Sequence, residues 1–249
     1  MSRDWRTIKV LDWDCAVFLP EQLEEPRDAL LYLHDEDGLN ELTAHAESLQ
    51  RHDLAAIVPL CGPSWWLDQP VPAFDEARTP QQFVREHVVP TIKAEIGNPD
   101  LRFGLLGSGM GGQGVLKLSY AFPQEFPVVA AVAPAIDFHL LLKAGHPVLS
   151  EVFDGVEAAR QHTPILHVHP LNWPRHQFFC CDPEDYVWFD SSDRLRMKLG
   201  SIGIPFDAEL QQSCEGDRDA YRQQMLPRAI QVVREKLDEH RRSLVEPRP

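Results

Sequence analysis

Residues 104–114 read Gly-Leu-Leu-Gly-Ser-Gly-Met-Gly-Gly-Gln-Gly, a glycine-dense turn between an apolar run and a helical pattern. Acyl-transfer chemistry places a nucleophilic serine on such a strand–turn–helix, with a glycine two residues to either side, as G-x-S-x-G. Gly107 and Gly111 hold the flanking positions, and the residue midway between them is Gly109. Glycine has neither the hydroxyl that attacks nor the proton that a base would remove. Ser108 stands next door, but centring the motif on it puts Leu106 and Met110 where the glycines belong. Ser108 is therefore the rival nucleophile, and it too needs a base. A glycine at 109 also suits the backbone, because the nucleophile's position in this turn is strained and glycine relieves that strain.

A second cluster with possible chemistry is His167-Val168-His169. In an extended segment the two imidazoles share a face. With His176, Cys180 or Cys181 nearby, they would offer ligands to zinc. The alternative is hydrogen bonding within a loop rich in Pro and Trp at residues 170–174. Neither Cys-x-x-Cys nor His-Glu-x-x-His spacing occurs here, so no metal and no cofactor are expected.

The elements that must position these residues follow from periodicity. Residues 29–34, 54–60, 101–107, 128–132 and 177–181 are short apolar runs that read as buried strands. Residues 206–210 read as a half-exposed strand near a sheet edge, and residues 8–19 as one or two antiparallel strands. Between them lie helical patterns, which favours a largely parallel sheet covered on both faces. Thr79-Pro80-Gln81-Gln82 combines an N-cap, a first-turn proline and a capping-box glutamine. Phe83, Val84, Val88, Ile92 and Ile96 then recur at helical spacing until Gly97 stops the run. Further helices are expected over residues 112–122, around 193–199, and at the end, where Leu226, Ile230, Val233, Leu237 and Leu244 form a stripe that Pro227 bends or starts.

The chain has 249 residues, 43% of them hydrophobic, enough for the core of one domain over residues 1–249. No apolar run approaches the length of a membrane-spanning helix. The first residues, Met-Ser-Arg-Asp-Trp-Arg, lack a signal-peptide stretch, so a cytoplasmic location is expected. Five irregularly spaced cysteines argue against a disulfide framework, and Cys180 and Cys181 read as buried free thiols. The net charge of −14 argues against binding to nucleic acid or an anionic membrane.

The strand at 101–107, the turn at 107–112 and the helix at 113–122, with Phe126 and Ala133-Pro134 beyond, resemble the esterase group of α/β-hydrolases. That group includes S-formylglutathione hydrolases and feruloyl-esterase-like enzymes, which read G-x-S-M-G-G in this turn. The resemblance extends from about Leu30 to Leu237. It implies an α/β-hydrolase fold, with a mostly parallel central sheet and helices on both faces. It also implies a catalytic order of nucleophile, acid and histidine. The nucleophile position falls on Gly109. The acid position falls on Asp185, with Asp182 as the fallback, which alternatively just caps a turn. The histidine is expected in a G-G-H-x-W-like motif, and Gly216-Asp217 puts Asp217 there. His240 lies too far along the last helix to replace it.

An unperturbed carboxylate is a weak base for an alcohol at neutral pH. Asp185 and Asp217, if they face each other, would form a carboxylate pair that binds a cation or shares a proton, unless Arg218 neutralises one of them. Of the oxyanion donors that the resemblance implies, one is the N–H of Met110. The other should come from the turn His34-Asp35-Glu36-Asp37-Gly38, where active relatives usually read His-Gly. Its three carboxylates would oppose a developing oxyanion. Trp65 and Trp66 would line the pocket mouth or serve packing alone. These substitutions lead to the expectation of an esterase-like protein with a degenerate triad that binds or scaffolds. The alternative is an active carboxylic-ester hydrolase using Ser108 or another constellation. The partners expected are a small molecule in the former active-site pocket and a second copy of the chain.

Overall fold

The computed structural model describes residues 5–21, 26–36, 38 and 40–245. Eight strands form one sheet: β1 (Trp5–Val10), β2 (Trp13–Phe18), β3 (Asp28–Leu33), β4 (Ala55–Pro59), β5 (Arg102–Ser108), β6 (Val128–Val132), β7 (His176–Cys180) and β8 (Asp207–Glu209). Their order across the sheet is β1-β2-β4-β3-β5-β6-β7-β8. β1 and β2 pair antiparallel, β2 meets β4 antiparallel, and every later pairing is parallel. β3, β4 and β6 are buried along their whole length, as central parallel strands covered on both faces must be. The short β8 lies at the edge and is half-exposed.

The helices are α1 (Asn40–Thr43), α2 (Ala46–Arg51), α3 (Pro80–Gln82), α4 (Val89–Ile96), α5 (Gly109–Ala121), α6 (Phe138–Lys143), α7 (Pro147–Val152), α8 (Val156–Gln161), α9 (Phe189–Ser201) and α10 (Arg218–Val245). α3 starts on the expected capping box: the Gln82 N–H donates to Thr79 Oγ1 at 3.0 Å and the Thr79 N–H to Gln82 Oε1 at 3.1 Å. It runs into α4 through a π-helical stretch, Phe83–Val88, in which the Val89 N–H reaches back to the Val84 carbonyl. Pro90, which has no N–H to give, follows at once, and the wider turn absorbs that loss. α5 and α10 pack on the central strands.

Two expectations change. α10 begins at Arg218, so Pro227 sits inside it rather than starting it. The segment carrying His167 is not extended, because residues Pro164–His167 form a 3₁₀ turn. α6, α7 and α8 leave no periodic signal in the sequence. Among the described residues no helix is long and apolar enough to cross a membrane.

Candidate functional site

The register of β3 and β5, with Leu33 opposite Gly107, ends both strands side by side. The turn after β3 therefore lies against the turn after β5. Gly109, the first residue of α5, has φ +50°, the left-handed region that glycine enters at least cost. Gly111 is required by closeness: a Cβ there would run into the Leu33 carbonyl and come within 2.8 Å of the His34 oxygen. The turn at 34–36 is pinned from the other side. Trp66 Nε1 donates to the His34 carbonyl at 2.9 Å, and His34 Nε2 accepts from the Cys61 N–H at 3.2 Å. Burial pushes the His34 imidazole below its ordinary pKa, which keeps the ring neutral.

This packing drives Asp35 into the site. A Cβ on residue 109 would lie 2.5 Å from Asp35 Cγ and 2.6 Å from Oδ1. Asp35 Oδ1 accepts the Met110 N–H at 2.8 Å, and Oδ2 pairs with the Arg222 guanidinium from α10. The Met110 N–H thus has a side chain of the chain itself as its partner. Asp37 lies outside the described residues, and Glu36 turns outward to His146 Nε2 at 3.0 Å.

Arg222 is 7% exposed and faces three carboxylates. Besides Asp35, its Nε lies 3.4 Å from Glu41 Oε1 and its Nη1 3.4 Å from Asp219 Oδ1. Glu41 Oε2 accepts from Ser108 Oγ at 2.6 Å and from the Tyr32 hydroxyl at 2.5 Å. Burial pushes the Glu41 carboxyl up, against the lowering effect of those hydroxyls and of Arg222. Ser108 is fully buried within this network and is not offered to the surface. Arg222, Glu41 and Tyr32 escaped sequence reasoning. The one usable signal is that Arg222 follows Arg218 by four residues and so shares its helical face.

The residues expected at the acid and histidine positions are equally engaged. Asp185 is held by Arg218 through both nitrogens, Nε to Oδ2 at 2.6 Å and Nη2 to Oδ1 at 2.9 Å, with the guanidinium 4.0 Å from the centre of the Trp188 ring. Asp182 ties two loops together, accepting from the N–H groups of Glu184 (2.8 Å), Cys214 (2.7 Å) and Gly216 (3.1 Å). Burial works to raise its pKa, and those backbone donors outweigh it, leaving the carboxyl below its ordinary value. Asp217 caps α10: its Oδ1 accepts from the N–H groups of Asp219 and Ala220, each at 3.0 Å, and its carbonyl from that of Tyr221. Asp185 and Asp217 therefore do not form the carboxylate pair, and Arg218 neutralises Asp185.

The remaining candidates pack or cap. Trp66 is fully buried and Trp65 nearly so. Trp65 meets Phe138 and His146 edge-on. His167 Nε2 bonds the Gln161 carbonyl at 3.1 Å, and His169 Nδ1 accepts the Leu171 N–H at 3.1 Å. His176 opens β7, with its ring 6.0 Å from that of His240. Cys180 and Cys181 are buried and free, and burial pushes the Cys181 thiol up to about 12. No cluster of three metal-ligating side chains exists among the described residues.

Three comparisons bear on this geometry. No curated protein matches the chain. Among solved structures, it is similar to S-formylglutathione hydrolase of Staphylococcus aureus, with 17% identity and a TM-score of 0.74 over 92% of this chain and 98% of that one. The fluorophosphonate-binding serine hydrolase F of the same organism gives 18% identity and a TM-score of 0.71, over 93% and 99% of the two chains. MPT51 (FbpC1) of Mycobacterium tuberculosis gives 14% and 0.74, over 94% and 99%. At these identities the likeness shows an α/β-hydrolase fold. The model of the family described as "Putative esterase" matches residues 12–194, well over half the chain, and the protein belongs to that esterase family.

Proposed function

We propose that this chain is a non-catalytic member of the esterase family, with a degenerate triad, which binds a small ligand beside the former reaction centre. The observation that carries this is the Asp35 carboxylate. It fills the space a side chain at 109 would need and takes the Met110 N–H that would otherwise stabilise an oxyanion. The two positions are complementary: by the family resemblance a serine is expected at 109 and a glycine after His34, and here the glycine is at 109 and the side chain at 35. The assignment of Asp185 to a salt bridge and of Asp217 to a helix cap supports the same reading, since neither is free to orient or replace an imidazole.

Ser108 has a hydrogen-bonded carboxylate in Glu41, the partner it lacks in the sequence, yet its complete burial keeps an acyl carbon away. A fluorophosphonate probe combined with an aryl-acetate assay separates the two readings. No labelling and no turnover above buffer are expected. Stoichiometric labelling with robust hydrolysis sinks the proposal.

A further inference from the structure

A cleft of about 350 Å³ lies between the loop before β6, the segment that leads into β7 and the last turns of α10, with Pro127, Leu171, Trp173, Arg175, His240 and Leu244 among its walls. It borders the N-terminal ends of these parallel strands, whereas Gly109 follows the C-terminal end of β5, at the other end of the sheet. That volume suits a small molecule. Leu171 is 85% exposed and Leu244 62%. A single exposed leucine is ordinary, but these two come from distant segments and meet at one cleft with the half-buried Trp173, which makes an apolar patch.

The charge on these walls is one-sided. The chain has 38 Asp and Glu residues and a net charge of −14, yet among the described residues no carboxylate lines this cleft. Arg175 is exposed, and among the described residues its guanidinium has neither an ion pair nor a hydrogen bond. Its charge acts on His240, another wall: burial, with the cations Arg102 and Arg175, holds that imidazole below its ordinary pKa and so neutral. Arg175 is therefore the one charged group facing the cleft among the described residues. A guanidinium presents paired N–H groups that match a carboxylate, and a dianionic phosphate would bring a second charge with no second cation to meet it. We propose that this cleft binds a small monocarboxylate with a flat apolar body, its carboxylate on the Arg175 guanidinium and its body against Leu171, Trp173 and Leu244. The site is separate from the former reaction centre and does not depend on whether that centre is silent.

2-Naphthoate, 2-naphthamide and acetate separate the two halves of the site, because the amide keeps the rings without the charge and acetate keeps the charge without the rings. Each is titrated into the full chain and followed by NMR. Naphthoate is expected to saturate and to shift the Trp173 indole and the signals of residues 171–176 most, with the other two at least about tenfold weaker. Arg175→Met keeps the apolar stem and removes the charge. Since the guanidinium has no partner, the unfolding midpoint should hold while naphthoate falls to the affinity of the amide. Leu171→Ser should weaken naphthoate and naphthamide severalfold and by the same factor. Naphthamide binding as tightly as naphthoate, naphthoate binding unchanged by Arg175→Met, shifts centred on the turn at 107–112, or no saturable binding would each overturn the inference. Fluorophosphonate labelling reports on the other end of the sheet and bears on the non-catalytic reading alone.

Discussion

The turn after β5 and the loops after β7 and β8 lie at the same end of one sheet, yet they hold their polar atoms by opposite means. At β5 the backbone dictates. The Leu33 and His34 carbonyls crowd Gly111, Gly109 adopts φ +50°, and the Met110 N–H is left pointing at a carboxylate. In the loops the side chains dictate. Asp182 gathers three backbone N–H groups, Asp217 caps α10 and Asp185 is clamped by Arg218. The glycines of the first region follow from helix–strand closeness whether or not any reaction occurs there. The carboxylates of the second have folding duties. Packing alone can therefore hold the glycine turn, while the carboxylates beyond β7 and β8 show what side chains there do for the fold.

If closeness governs the first region, the largest effect belongs to Gly111→Ala. The new Cβ would meet backbone carbonyls rather than a yielding side-chain end. A loss of about 3 kcal/mol or more in urea unfolding is expected. A near-neutral result would mean that the elbow is held by something other than its contact with β3.

Gly109→Ser comes next. The substitution places a side chain at a positive φ and against Asp35, at a cost of about 2 kcal/mol. The clash is specific to one partner, so a double-mutant cycle with Asp35→Gly should show coupling of about 1 kcal/mol in favour of the pair. The same logic sets the order in which activity could be rebuilt. Gly109→Ser with Asp217→His is expected to stay unlabelled by fluorophosphonate while Asp35 remains, and adding Asp35→Gly is expected to admit the probe. Labelling of the double variant would show that Asp35 does not block the site.

In the second region, Asp182 links shape to pH. Its folded-state pKa lies below the ordinary carboxylate value of about 3.9. Its contribution to stability is therefore fully present above that value and is lost as pH falls through the lower, folded value. Asp182→Asn should lose about 2 kcal/mol at neutral pH, through weaker acceptance of the Cys214 and Gly216 N–H groups. The gap from the parent chain should close in acid. Urea midpoints measured across the acid range test this, and a gap independent of pH would contradict it.

Most of the sheet was readable in the sequence because parallel central strands are continuous apolar runs, and 128–132 coincides with β6 to the residue. The Thr79 capping box was readable because both of its hydrogen bonds form within four residues. α6, α7 and α8 were not, since at six residues each they complete less than two turns and leave no period to detect. His167 and His169 misled because the extended reading ignores Pro164, whose fixed φ suits the start of a 3₁₀ turn. The Asp35–Arg222 pair spans 187 residues, and each partner sits in a charged stretch that reads as solvated surface. The β3–β5 register brings the turn at 34–36 against Gly109.

The smallest expected effect distinguishes best between the two duties open to Asp217. As the N-cap of α10 it contributes through two N–H groups at an exposed helix end, so Asp217→Ala should cost about 1 kcal/mol. Serine also caps helices well, so Asp217→Ser should recover nearly all of that loss although it removes the charge. A residue acting instead as a base, or as half of a carboxylate pair with Asp185, would show the reverse. Stability would then be indifferent to the cap, and serine would be as damaging as alanine to whatever the charge supports. Thermal unfolding of the parent and the two variants at neutral pH decides it. The ranking parent ≈ Ser > Ala assigns Asp217 to the fold rather than to proton transfer.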